Sequence, residues 1–150
     1  MVGFSGIWSS SGRPSCDSEP MVLRNPYRID LGTLGMILSA ETRAEILVDK
    51  VVALALRPNR VKNRDLWDIS WLDQQGVGYE RRLLLSKLDL RKVSLESFRE
   101  RYAGRCEELV NARSDFAFEM TRFLPPGQLR ESVSTQAFWT YLLNTLRSLV

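Results

Sequence analysis

Two cations and two carboxylates stand at intervals that put them together. In the stretch 46–56 every residue is apolar except Asp49 and Lys50. A helix that is apolar nearly all round is buried on most sides. Lys50, Leu54 and Arg57 share one side of it at i, i+4 and i+7. A buried ammonium is costly unless it meets a carboxylate, an anionic ligand or a route to water. Asp65 and Asp68, three residues apart, are neighbours on one face near the start of the next helix. The positive end of that helix favours both. Arg64 is within i, i+4 reach of Asp68. Two readings stay open. The charges form a surface ion-pair lattice with acids compensating a helix dipole. Alternatively Lys50, Asp65 and Asp68 converge from two adjacent helices, the lysine holding a phosphate while the carboxylates orient it or bind a hydroxyl.

The elements that would position these residues can be read from caps and periodicity. Thr42 followed by Glu45 fits a capping box and opens a helix that Pro58 stops at Arg57. Asn63 reads as the next N-cap, for a helix through Gln75 ending at Gly76. Tyr79–Leu90 forms a third. Ser94 caps a long helical region reaching Leu124, striped by Leu95, Phe98, Tyr102, Cys106 and Leu109. Phe116, Met120 and Phe123 continue the stripe after a break near Ser114. Pro125-Pro126-Gly127 ends that region. A last helix runs from about Ser134, with Phe138, Tyr141, Leu142, Leu146 and Leu149 on one face. Ahead of the helices, Met21–Ile29 and Leu34–Ala40 read as extended segments joined by the turn Asp30-Leu31-Gly32-Thr33. Such a hairpin needs a helix to cover it. Residues 1–20 hold eleven Ser, Gly or Pro and form a flexible tail. Residues 21–150 make one domain, the expected size for 150 residues.

Composition removes several chemistries. The chain has no histidine, which excludes Ser-His-Asp and Cys-His catalysis and His-containing zinc sites. Two cysteines, Cys16 and Cys106, are too few for a Cys-only zinc site or a disulfide framework. The apolar run Val51–Leu56 is far short of the ~20 residues of a membrane span. No signal peptide is visible, so a cytoplasmic location is expected. Lys plus Arg number 21 and Asp plus Glu 18, spread evenly, so no patch supports nucleic-acid binding. Trp67, Trp71 or Trp139, if exposed, would mark a partner surface, although helical spacing favours burial.

The run EILVDKVVALALRPNRVKNRDLWDISWL resembles the paired motifs of the AbiEii-type nucleotidyltransferase toxins, within the DNA polymerase beta-like nucleotidyltransferase superfamily. The family's third motif is a helix with an acidic residue and a lysine, here Glu45 and Lys50. Its fourth, Arg-Asp-x-x-Asp, is here Arg64-Asp65-Leu66-Trp67-Asp68. The resemblance covers about residues 21–76, with residues 79–150 matching the helical part. It implies Lys50, Asp65 and Asp68 as catalytic residues, Lys50, Arg57 and Arg64 as nucleotide contacts, and Glu45 in support. The Gly-Gly or Gly-Ser loop and the Asp-x-Asp strand that holds Mg²⁺ are missing. Asp17-Ser18-Glu19 is not such a motif, because Pro20 follows at once and no strand or glycine loop precedes it.

The fold expected is therefore α+β and mainly α: a short strand pair on about five to six helices, a partial nucleotidyltransferase-like fold. The function expected is a truncated family member without the metal-binding half, acting as a remnant or as an interaction module of a toxin–antitoxin or phage-defence system. No metal site and no cofactor are expected for this chain, with Mg²⁺ and a nucleoside triphosphate entering only if the missing half is supplied. The expected partner is an antitoxin or a complementary nucleotidyltransferase half. Two alternatives are an active enzyme completed by a partner chain and a helical interaction domain whose Lys50, Asp65 and Asp68 are purely structural.

Overall fold

The computed structural model describes residues 17–25, 29–30 and 32–150. Its order is β1 (Ser18–Val22), β2 (Ile37–Glu41), α1 (Arg43–Leu56), α2 (Asn63–Gln74), α3 (Arg81–Leu90), α4 (Leu95–Leu109), α5 (Arg113–Met120), a helical turn α6 (Pro126–Gln128) running into a π-helical turn (Leu129–Val133), and α7 (Gln136–Ser148). The architecture is α+β and mainly α, as expected.

The strands pair antiparallel, Ser18 opposite Glu41 and Val22 opposite Ile37. The expected segments were Met21–Ile29 and Leu34–Ala40, so the pairing lies further from the turn than the sequence pattern places it. Gly32 and Gly35 adopt positive φ, and the Gly32 amide donates to Asp30 Oδ1 at 2.9 Å. These bends use up residues that would otherwise extend the ladder. Pro20 is accepted inside β1 because a two-stranded ribbon leaves an outer edge where no amide is required. The boundary at residue 20 is thereby moved: Ser18, Glu19 and Pro20 belong to the folded unit. The remainder of the expected tail, residues 1–16, lies outside the described residues, as do residues 26–28 of the first expected segment and Leu31 of the expected turn. The ribbon exposes Met21, Val22, Met36 and Ile37.

α1 is the central element, packed against α2, α3 and α4. Its near-continuous apolar surface explains why: Leu47, Val48, Val51, Val52, Leu54 and Ala55 are all buried. Thr42 caps it as expected, its Oγ1 accepting from the Glu45 amide at 3.2 Å. The capping box does not close, however. The Glu45 side chain turns away from Thr42 and accepts from the Asp17 amide at 2.6 Å. Thr42→Ala should therefore remove the cap together with the hydroxyl's bond to Asp17 Oδ2, costing about 1–2 kcal/mol, measurable as a shift in the urea midpoint with an unchanged slope.

α2 begins one residue earlier than expected. Lys62, not Asn63, is the cap residue, and Asn63 is buried with its Nδ2 donating to Asp115 Oδ2 at 3.1 Å and Glu119 Oε2 at 2.9 Å on α5. Gly76, at positive φ, ends α2 where the sequence places it. α3 starts at Arg81 rather than Tyr79. The expected stripe on α4 is realised, with Phe98, Tyr102, Cys106 and Leu109 buried and Ser94 capping through its Oγ. The break after α4 falls at Val110–Ala112, just ahead of Ser114, and α5 ends at Met120, so Phe123 falls outside the stripe and is exposed. Pro125-Pro126-Gly127 ends no helical region outright, because Pro126 opens α6, the position where a missing amide costs nothing. On α7, Phe138, Trp139, Leu142 and Leu146 close one continuous core. Trp139 packs on Phe116 with ring centroids 5.4 Å apart. Among the described residues, no helix is long and apolar enough to cross a membrane.

Candidate functional site

The site lies between α1 and α2. Lys50 on α1 and Arg57, the extended residue just past its C-terminal end, both reach Asp65 in the first turn of α2. Lys50 Nζ is 2.7 Å from Asp65 Oδ1, and Arg57 Nη1 is 2.8 Å from Asp65 Oδ2. Lys50 Nζ also meets Asp68 Oδ2 at 2.9 Å. The i, i+3 spacing on α2 thus presents two carboxylates to one ammonium. Asp65 is 6% exposed, while the Lys50 and Asp68 side chains keep 28% and 32% of their surface. The network is closed at the Asp65 end and open to solvent at the Asp68 end.

Burial works to raise the Asp65 pKa, but the hydrogen bonds and charges of Lys50 and Arg57 outweigh it and hold the carboxyl below its usual range. Burial works to lower the Lys50 pKa, and its two carboxylate partners more than offset that. Both groups therefore stay ionised at neutral pH. The loop between the helices is fixed from α4: Arg105 Nη2 donates to the Arg57 and Asn59 carbonyls at 2.8 and 2.9 Å.

Of the residues singled out in the sequence, the structure brings together Lys50, Arg57, Asp65 and Asp68. It separates two others. Arg64 is exposed and its guanidinium lies 5.6 Å over the Phe123 ring rather than against Asp68. Glu45 is fully buried on a different side of α1, bonded to Lys87 Nζ at 2.6 Å. Lys87 also lies 2.9 Å from Asp49. Lys87 was not anticipated, yet a signal existed: it falls on the stripe Leu83, Leu84, Leu88 of α3, a core position. Asp17, the first residue of the rejected Asp-Ser-Glu motif, stands at the start of β1, where its Oδ2 accepts from Thr42 Oγ1 at 3.2 Å and Arg82 lies 3.9 Å away.

The donor set decides what this site can hold. Lys50 and Arg57 balance Asp65 and Asp68, so no net negative charge remains for a Mg²⁺ ion, and the resident residues do not fit one. The same balance leaves no surplus of positive charge; what stays open to solvent is the contact between Lys50 and Asp68.

The family model for the nucleotidyl transferase AbiEii toxin of type IV toxin–antitoxin systems matches residues 13–144. The chain belongs to the AbiEii family. No curated relative and no solved structure matches it. In this AbiEii-family chain, the lysine helix and the Arg-Asp-x-x-Asp helix are neighbours, joined through Asp65.

Proposed function

We propose that this chain is a cytoplasmic interaction module of a toxin–antitoxin system of the phage-defence kind, carrying the lysine-bearing part of a nucleotidyl-transfer site without transfer activity of its own. The observation that supports this reading is the ion balance of the site: Lys50 and Arg57 are matched by Asp65 and Asp68, leaving no metal-binding carboxylate while the contact between Lys50 and Asp68 stays open to solvent. In this reading Lys50 is the phosphate contact, Arg57 holds Asp65, and Asp65 and Asp68 set the position of the ammonium. An antitoxin is the partner, and the helices from α2 onward offer it a surface. Phe118, two-thirds exposed on α5, and Trp71, under the Arg43 guanidinium, are apolar points on that surface.

A second reading rests on the open end of the network. Lys50 and Asp68 face solvent, so a partner chain bringing metal-binding carboxylates would complete an active nucleotidyltransferase there. Purified chain incubated with Mg²⁺ and labelled nucleoside triphosphates tests both. The expected result is no incorporation by the chain alone, together with amide chemical-shift changes around Lys50, Asp65 and Asp68 on adding nucleotide. Robust incorporation by the chain alone overturns the first reading. Absence of any shift, with or without the antitoxin, overturns both.

A further inference from the structure

Away from the Lys50 network, a second group of acids gathers where the end of β2, the first turns of α1 and the middle of α3 meet. Glu41 from β2 and Glu45 and Asp49 from α1 each turn one carboxylate oxygen to a common point, the three oxygens lying within 4.8 Å of one another. Glu45 and Asp49 are one helical turn apart, and Glu41 precedes Glu45 by the same interval across the cap. Lys87 of α3 stands beside them, 2.6 Å from Glu45 Oε1 and 2.9 Å from Asp49 Oδ1. Among the described residues, three carboxylates meet one contacting ammonium here, a local surplus of carboxylate.

The surplus is visible atom by atom. Asp49 is only 7% exposed, yet its Oδ2 is sealed from solvent with no hydrogen-bond partner among the described residues, and Glu41 Oε1 is sealed and unpartnered among them as well. Orphaned carboxylate oxygens in such a place are costly. Lys87 satisfies one side of Asp49 only, and Arg91, the next cation along α3, acts on Asp49 through its charge alone. Burial, reinforced by the neighbouring acids, pushes both the Glu41 and the Asp49 carboxyls above their usual range.

We propose that Glu41, Glu45 and Asp49 form a binding site for one hard divalent cation, Mg²⁺, Mn²⁺ or Ca²⁺, which joins β2 to α1. Two oxygens bound to one such ion at 2.0–2.6 Å lie up to about 4–5 Å apart, the spacing found here. A charge of +2 offsets the local surplus of carboxylate, and the ion takes up carboxylate oxygens of Asp49 and Glu41. Half-buried Glu41 leaves the outer side of the shell to water. The site is independent of the nucleotide reading, since it shares no side chain with the Lys50 network.

The test uses the whole chain, stripped with EDTA and titrated with MnCl₂, MgCl₂ and CaCl₂ in separate arms. Bound Mn²⁺ is read from loss of the free-ion electron paramagnetic resonance signal, and all three ions from the thermal unfolding midpoint. One equivalent of Mn²⁺ is expected, with a rise in midpoint for each ion that binds. Glu41→Gln and Asp49→Asn should each weaken uptake at least about tenfold, while unfolding in EDTA at or above the wild-type temperature because each removes surplus charge. Lys50→Ala should bind Mn²⁺ unchanged, which keeps this result separate from any failure of nucleotide binding. Absence of saturable uptake by folded wild-type chain overturns the proposal and leaves a shared proton as what neutralises the cluster. Uptake undiminished in Glu41→Gln and Asp49→Asn, or abolished by Lys50→Ala, overturns it too.

Discussion

Replacing Lys87 with methionine should lower the stability of the chain by about 3–5 kcal/mol at pH 7 in metal-free buffer. Methionine fills nearly the same volume, so the loss measures charge rather than packing. Lys87 is only 3% exposed and is the ammonium that faces both Glu45 and Asp49. Without it Glu45 and Asp49 lose the ammonium they share, and Arg91 acts on Asp49 only from a distance. The pH dependence has a definite sign. Burial already raises the Asp49 and Glu41 pKa values, so protonation favours the fold, and stability from these groups is lost as pH rises from the unfolded carboxyl range through the folded values. The deficit of Lys87→Met should therefore shrink between pH 7 and pH 5. Urea midpoints at the two pH values decide it, and equal midpoints for wild type and variant at pH 7 would remove Lys87 from this role. Adding Asp49→Asn to the variant should restore part of the loss, because it deletes one of the stranded charges.

Much of this arrangement was legible because it follows from local rules. The apolar run of α1, its Thr42 cap and its stop at Pro58 are properties of a few adjacent residues, and they placed Lys50 and Arg57 on one side correctly. The need of Lys50 for a carboxylate was also legible, since an ammonium on a buried helix has few options. Which carboxylate it took was half legible. Asp65 and Asp68 share a face, but that this face turns to α1 depends on Leu66, Ile69 and Leu72 being the residues that enter the core.

What escaped the sequence was decided by contacts far along the chain. Asn63 reads as a cap, yet it is drawn into the helix and buried by Asp115 and Glu119, more than fifty positions away. Glu45 reads as the N3 acid that closes a capping box and as support for Lys50. Lys87, 42 residues on, pulls its carboxylate to the other side of α1. Arg64 precedes Asp65, so it points about 100° around α2 from it, away from α1 and onto Phe123. Phe123 in turn left its stripe because α5 ends at Met120 and the helical phase is lost there. In each case a local preference of order 1 kcal/mol gave way to a partner that periodicity cannot name.

Asp65→Asn should cost about 2 kcal/mol at neutral pH, less than Lys87→Met because Lys50 keeps Asp68 and because Lys50 and Arg57 retain some water. Its pH dependence should run the other way. Burial opposes the charge on Asp65, but Lys50 and Arg57 prevail and hold the pKa down. A depressed carboxyl contributes stability that is complete above the unfolded value near 4 and is lost as pH falls through the folded value. The gap between wild type and Asp65→Asn should thus stay level from about pH 8 to pH 5 and close below about pH 4. Urea unfolding across that range reads it directly. A gap that persists unchanged at low pH would assign the loss to geometry rather than to ionisation, and Lys50 would then have no claim to be held by charge in a position to meet a phosphate. Opposite pH slopes for the two variants would mean that α1 carries two separate electrostatic centres. One, at Lys50, is balanced and partly open to solvent, and the other, at Asp49, is rich in carboxylate and buried.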